Sequence, residues 1–438
     1  MLYQNNTVVV RGAFDSLDFI HTADIHIGAF PHSVLRRANI EALSKIIELA
    51  LSENVKTLVI AGDLFETPRL GHEATLNVIK IIKNAVREGI KFVVTPGSHD
   101  LTAKGHGVLT ILKEVGLVNV TEAIEEKYKL HLKPLEVNGL VFYGIPGLRG
   151  EREVEYLEKR KVVYENYSEN RDNVLIAHTG LYVYSGLDIS KISPKYRVIK
   201  LSEEAYSSIH KHFKYLALGH IHFPIPHHEF FEGKVAAYPG APIGRDANDI
   251  YETYILRTKL GTNRRILLVN LGLRNAKVRA LTDSFGVDVR VMEVHGMEGL
   301  AEEVRKNLKD MSEKYRCLIV YTGKVGLEEY SRIRKIVDDE SKKFNAWFHV
   351  IRREPQEEYI TLLEEFRSDL SNIEELEREA IEKALEKFGL KIPPTIIMDL
   401  ISTLGREYGE GMRKADVNEE VTDEALKILE QIFEELKK

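Results

Sequence analysis

Several short fragments of this chain hold residues that suit metal chemistry: Asp24 and His26 in ADIHIG, Asp63 in AGDLFE, Ser98, His99 and Asp100 in PGSHD, His178 in AHTG, and His220 and His222 in LGHIHFP. Carboxylates and imidazoles together form a set of hard and borderline ligands suited to Mn2+, Fe2+ or Zn2+. In Asp-x-His and His-x-His, alternate residues of an extended segment point the same way, so both side chains can address neighbouring cation positions. One such pair proves little, because a lone buried histidine is more often a hydrogen-bonded core residue. Fragments that each follow an apolar run point to one metal site assembled from several loops.

Elements able to position these loops are legible around them. Short apolar runs rich in β-branched residues predict strands at Leu17 to Ile27, Val55 to Ile60, Lys91 to Thr95, Gly139 to Ile145, Asn173 to Ala177, Tyr215 to Leu218, Val235 to Tyr238, Tyr251 to Arg257 and Arg265 to Leu271. Between them, Ser33 to Leu51 and His72 to Glu88 carry apolar residues at i, i+3 and i+4 and predict helices packed on a sheet. Strands alternating with helices predict a layered α/β domain over residues 17–273, with the motif residues in loops just past the strand ends. The texture then changes. Val287 to Val294, Met297 to Met311, Cys317 to Thr322, Leu327 to Lys343 and Trp347 to Arg352 predict a small βαβαβ unit at 285–355. Residues 368–438 are acid-rich and helical in pattern, broken by Pro393 and Pro394, and residues 1–16 form an extension ahead of the first strand.

A chain of 438 residues, 44% hydrophobic and 29% charged, has the composition of a folded globular protein with a large domain and smaller additions. No apolar run reaches the roughly 18 residues of a membrane span, and the start lacks a signal-peptide layout, so a cytoplasmic protein is expected. Cys317, the single cysteine, excludes an internal disulfide and a cysteine-rich zinc site. A formal charge of −6 argues against a protein that coats nucleic acid through diffuse positive charge. It leaves room for a nuclease, because bound cations supply positive charge where a phosphate is cleaved.

Taken in order, the motifs D-x-H, GD, G-x-H-D, a lone His and G-H-x-H resemble the signature of the calcineurin-like metallophosphoesterases, over roughly residues 17 to 260. The resemblance implies an α/β fold in four layers, an αββα sandwich, with two divalent metal ions. By the same resemblance Asp24, His26 and His222 hold one ion, His178 and His220 the other, and Asp63 bridges. His99 would act beside the phosphate as general acid or transition-state donor, with Asp100 as a possible orienting partner. Two departures stand out. Ser98 occupies the position where the superfamily has an asparagine whose carbonyl ligates the second metal, so that metal should be held more weakly. Glu66 stands where related break-repair nucleases often carry a histidine associated with exonuclease action.

Within the superfamily, the Pro/Arg turn after AGDLFE, the YPGAPIGRD stretch and the appended units resemble the SbcD-type double-strand-break repair nucleases. That resemblance implies a DNA substrate, most often Mn2+ as the metal, a cap over the site that helps hold DNA (285–355), and a helical tail that docks on a coiled-coil ABC-type ATPase of the SbcC kind. It also implies a homodimer, with Ser33 to Leu51 in the contact. The tail's Ile396, Ile397, Leu400, Ile401 and Leu404 could form a docking face or pack on their own domain. No G-x-x-x-x-G-K-[ST] loop is present, so an ATP-driven step would come from the partner. Arg36, Arg37, Arg69, Lys104 and Arg245 lie near motif loops and are candidate phosphate contacts, or ordinary solvated charge. Two rival readings remain: a phosphodiesterase acting on small molecules or nucleotides, and a weakly catalytic scaffold that binds DNA ends.

Overall fold

The computed structural model describes residues 17–352, apart from 32, 102–106, 184–197, 234, 274, 283–284 and 313, and beyond them 381–382, 385, 390, 392–404 and 425–432. Two sheets carry the site. The first has seven strands in the order Phe230–Gly233, Ala276–Leu281, Ile266–Asn270, Phe19–Thr22, Thr57–Ala61, Lys91–Thr95 and Asn119–Val120. The second has five, in the order Val235–Ala237, Tyr215–Gly219, Asn173–His178, Leu140–Ile145 and Leu135–Val137. The central strands of each run parallel, so their C-terminal ends share an edge.

Side-chain alternation stacks these sheets. Along three neighbouring strands Ile20, Leu58, Ile60, Phe92 and Val94 face outward, onto Leu43, Ile46, Val78 and Ile82 of the helices Ala38–Ser52 and His72–Arg87. The alternate residues Phe19, Val59, Ala61 and Val93 face inward and meet Val174, Ile176, Tyr215 and Ala217 of the second sheet. On its far side Leu175, Ala177, Leu216 and Leu218 pack on Val154 and Leu157 of helix Arg152–Glu158 and on Ala205 and Ile209 of helix Glu203–His212. Strands buried on both faces read as continuous apolar runs, which is why period-two alternation is missing from them. Three apolar seams between four layers give the αββα sandwich. Each buried Leu, Ile, Val or Phe side chain in the seams contributes about 1.5–3 kcal/mol.

The span Tyr251 to Arg257 is helical, contrary to the strand its aromatic and branched residues suggest. It belongs to the helix Ala247–Lys259, where the Asp246 side chain accepts hydrogen bonds from the backbone N–H groups of Asn248 and Asp249 and so caps the first turn. Asp249, Ile250, Thr253 and Leu256 then fall on one buried face, and that burial outweighs strand propensity. The run Leu17 to Ile27 is strand only at Phe19–Thr22. The predicted helix at Ser33 begins as one 3-10 turn, Val34–Arg37, capped by the Ser33 hydroxyl, before Ala38–Ser52. A three-stranded sheet of Ala123–Glu126, Lys129–Leu132 and Val162–Tyr164 was not foreseen.

Residues 1–355 form one compact unit and residues 356–438 another. Inside the first, parallel strands Asp288–Glu293, Arg316–Tyr321 and Trp347–Ile351 form a separate small sheet. Helices Leu300–Lys309 and Leu327–Lys343 cover one face through Val304, Leu308, Ile333 and Val337. The other face, with Val289, Cys317, Ile319 and Tyr321, packs on Leu35, Ala38, Ala42, Ile243 and Ile250. Of the second unit the structure describes the helix Pro394–Leu404 and helical residues 425–432. The extension 1–16 lies outside the described residues. No helix among the described residues is long and apolar enough to cross a membrane.

Candidate metal centre

All the motif loops leave the shared strand edge. Asp24 follows Phe19–Thr22, Asp63 follows Thr57–Ala61, Ser98 to Asp100 follow Lys91–Thr95, His178 ends Asn173–His178, and His220 follows Tyr215–Gly219. The backbone there is not extended. Asp24, His26, Asp63 and His220 have φ of 52°, 50°, 48° and 92°, so the idea that an extended Asp-x-His segment aligns its side chains fails for this pair. Left-handed conformations at such residues cost on the order of 1–3 kcal/mol each and persist where surrounding bonds enforce them. Here the loops zip together: the N–H groups of Asp24, His26 and Ile27 donate to the carbonyls of Gly62, Asp63 and Leu64 at 3.0, 3.0 and 2.9 Å. Gly97 lets its loop come close, since a Cβ there would stand 2.1 Å from Asp63 Oδ1.

Donor atoms converge inside this frame. His26 Nε2 and His222 Nε2 are 3.1 Å apart, and His26 Nε2 is 3.7 Å from Asp63 Oδ2. His178 Nε2 lies 3.3 Å from Asp63 Oδ2, while its Nδ1 is 3.0 Å from the Ala61 carbonyl and 3.9 Å from Asp24 Oδ1. Both Asp24 oxygens accept the His220 backbone N–H at 3.1 Å, and the His220 ring lies 5.3 Å from that of His178. Asp24, His26, Asp63, His178 and His222 are all buried. Three groups of three bring their ligand atoms within 4.8 Å of one another: Asp24 with His26 and His222, Asp24 with Asp63 and His178, and His26 with Glu66 and His99.

Charge in the pocket is uneven. Burial raises Asp24 to about 7, against the pull of His178 and with the push of Asp63. Burial would raise Asp63 too, but His178, His26 and His99 hold it well below the ordinary carboxylate range. Burial disfavours a charged His178, yet Asp63 and Asp24 lift its pKa to about 10. Burial and then the neighbouring His178 lower His220 to about 4. The buried His178 Nε2 makes no aligned hydrogen bond and meets Asp63 Oδ2 only as a 3.3 Å ion-pair approach. An orphaned imidazole nitrogen beside an anionic carboxylate, in a pocket of mixed nitrogen and oxygen donors, fits divalent cations.

The ring of His99 sits at the mouth, half-buried. Its backbone N–H donates to Asp63 Oδ1 at 2.8 Å, its Nδ1 lies 2.9 Å from the Glu66 carbonyl, and Arg245 Nη1 reaches its Nε2 at 2.5 Å. The Glu66 carbonyl and Arg245 thus orient His99, and the expected role of Asp100 is corrected. The Asp100 carboxylate instead accepts from the backbone N–H groups of Phe65, Gly97 and Leu64, at 2.9, 2.9 and 3.3 Å, and ties two motif loops together. Burial, then Asp63, raises its pKa to about 6. Ser98 is exposed. Of the candidate phosphate contacts, Arg245 joins the site, Arg36, Arg37 and Arg69 are exposed near it in sequence, and Lys104 lies outside the described residues.

Two residues with clear positions escaped sequence reading. Asp249, fully buried, faces His222 Nδ1 at 2.9 and 3.0 Å. Arg264, also fully buried, donates to the carbonyls of His222 and Asp249. A helical reading of 247–259 would have exposed the signal, acidic residues on the same buried face as Ile250 and Leu256.

Residues 17–224 match the family model for calcineurin-like phosphoesterases. Residues 17–224 therefore form a calcineurin-like metallophosphoesterase domain, the class that sandwich and donor set define. More particular likenesses point one way. It is similar to the DNA double-strand break repair protein Mre11 of Methanopyrus kandleri, 28% identical over 234 residues, 51% of this chain and 48% of that one. To the protein of the same name from Archaeoglobus fulgidus it is 24% identical, over 64% of this chain and 61% of that one. A subunit of the nuclease SbcCD of Rhodobacter capsulatus is 32% identical over 101 residues, 22% of this chain and 25% of that one. The chain spans about half the length of several of the curated relatives it matches.

Proposed function

We propose that this chain is a metal-dependent DNA nuclease that hydrolyses phosphodiester bonds in the repair of double-strand breaks. The observation that carries the reading is the convergence of Asp24, His26, Asp63, His178 and His222 donor atoms beside the His99 and Arg245 pair. Asp24, His26 and His222 would hold one divalent ion and His178 and His220 a second, with Asp63 shared between them. Mn2+ is the proposed metal. Bound there, a pair of cations lowers the pKa of water toward about 7 and offsets charge on the phosphate.

The remaining roles belong to side chains. With its Nδ1 proton on the Glu66 carbonyl, His99 presents Nε2 to Arg245. A phosphate entering the mouth meets the guanidinium, which offers two N–H groups in a fork, and a ring poised to give or take a proton. Names of the relatives support DNA as the substrate and break repair as the setting. The small sheet unit at 285–355 is proposed to hold DNA, and the helical tail, 368–438, to bind a coiled-coil ATPase of the SbcC kind; a homodimer is proposed by the same analogy.

The test is cleavage of linear and hairpin-ended DNA with Mn2+ by the parent and by His99→Ala. The parent is expected to cut, and the variant to lose about 10²–10⁴-fold in rate while retaining DNA binding. Hydrolysis of bis-p-nitrophenyl phosphate without any cleavage of DNA would overturn the nuclease reading in favour of a small-molecule phosphodiesterase.

A further inference from the structure

The carboxylate of Glu66 touches both the metal pocket and its mouth. One oxygen, Oε2, lies 2.9 Å from His26 Nδ1; the other, Oε1, lies 3.7 Å from Arg245 Nη1 and 4.0 Å from His99 Nδ1. Its backbone is pinned at both ends, the N–H donating to the Ile27 carbonyl at 3.0 Å and the carbonyl facing His99 Nδ1 at 2.9 Å. The same pocket supplies a parallel. His222 turns Nδ1 to the Asp249 carboxylate at 2.9 Å, and its Nε2 meets His26 Nε2 at 3.1 Å. Both rings thus turn Nε2 inward and bring Nδ1 to 2.9 Å from a carboxylate oxygen, His222 in an aligned hydrogen bond and His26 in a close ion-pair approach.

We propose that Glu66 is a positioning residue that holds His26 in the tautomer with Nδ1 protonated, leaving Nε2 as the metal donor, and anchors Arg245 beside His99. A carboxylate behind a ligating imidazole fixes ring orientation and strengthens the donor. The two oxygens divide the work: Oε2 serves the buried ring, whereas Oε1 serves the guanidinium at the mouth. Glu66 is three-quarters buried, so its hold on His26 is little screened by solvent.

This inference rests on the metal-centre reading, and the experiment separates the two. The full-length parent, Glu66→Ala and Glu66→Gln are titrated with Mn2+ by calorimetry, and the His26 ring nitrogens are followed by 15N NMR with Zn2+ as the diamagnetic probe. Glu66→Ala is expected to weaken the tighter Mn2+ site by roughly 10–100-fold and to mix the His26 tautomers. Glu66→Gln, which keeps an acceptor oxygen but loses the charge, is expected to restore the single tautomer and only part of the affinity. Unchanged affinity and tautomer in Glu66→Ala, or mixed His26 tautomers persisting in Glu66→Gln, would overturn the proposal. Loss of a whole extra equivalent of Mn2+ would also overturn it, by making Glu66 a ligand with His26 and His99. A parent that binds no Mn2+ would instead sink the metal-centre reading itself.

Discussion

His26 and His222 rest their Nδ1 atoms against carboxylates, Glu66 and Asp249, each at 2.9 Å, whereas His178 rests its Nδ1 on the neutral carbonyl of Ala61 at 3.0 Å. One end of the pocket is braced by charge and the other by backbone. Either brace fixes a tautomer, and a charged carboxylate strengthens the imidazole as a donor more than a neutral carbonyl does. Where a carbonyl-bearing ligand would be expected at the backbone-braced end, the chain has the short hydroxyl of Ser98, and that side chain is exposed. Of the two ions, the one near His178 and His220 should therefore be the weaker.

Asp63 belongs to both ends and its loss should be felt most. Asp63→Asn leaves His178 buried without its nearest counter-charge. Cleavage should fall on the order of 10³-fold or more, with both Mn2+ ions lost from calorimetric titration. Retention of one tightly bound ion would show that the ends do not share this ligand. Asp249→Ala should weaken the His222 end by roughly 10–100-fold while leaving the other end as it was. Equal weakening at both ends would erase the distinction between them.

Ser98→Asn is the gain-of-function counterpart. Supplying an amide carbonyl should tighten the weaker ion by about tenfold, equivalent to about 1.4 kcal/mol. Second-site affinity unchanged in that titration would remove Ser98 from the account. The same pocket also sets a dependence on pH. In the metal-free pocket His178 keeps its proton up to about 10, and Asp24 titrates near 7. A metal needs both deprotonated, so binding releases protons, and affinity rises with pH by about tenfold per unit for each proton displaced, more steeply below pH 7 than above it. Calorimetry in buffers of different ionisation heat should detect that release, and an affinity flat between pH 6 and 9 would contradict it.

Much of this was legible in the sequence because it depends on order along the chain. Apolar runs ending in Asp or His marked the strand edge, and residue types, their order and the resemblance marked Asp24, His26, Asp63, His178, His220 and His222 as candidate donors. What stayed hidden depends on three-dimensional closeness. Asp249 lies 27 residues from His222 and sits in a helix whose tyrosines and threonines imitate a strand. Asp100, adjacent to His99 in sequence, turns its carboxylate to backbone N–H groups of its own loop and of the Asp63 loop. Glu66 stood out in the sequence only as a departure from the resembled nucleases, and folding brings it against His26. The left-handed turns at Asp24 and His26 were equally silent, since they arise from bonds to the Gly62 and Asp63 loop.

The most direct measurement is anomalous diffraction from crystals of the full chain soaked in Mn2+. Two peaks are predicted, the stronger among Asp24, His26, Asp63 and His222 and the weaker among Asp63, His178 and His220. A single ion away from Asp63, or no ion among these side chains, would contradict the account.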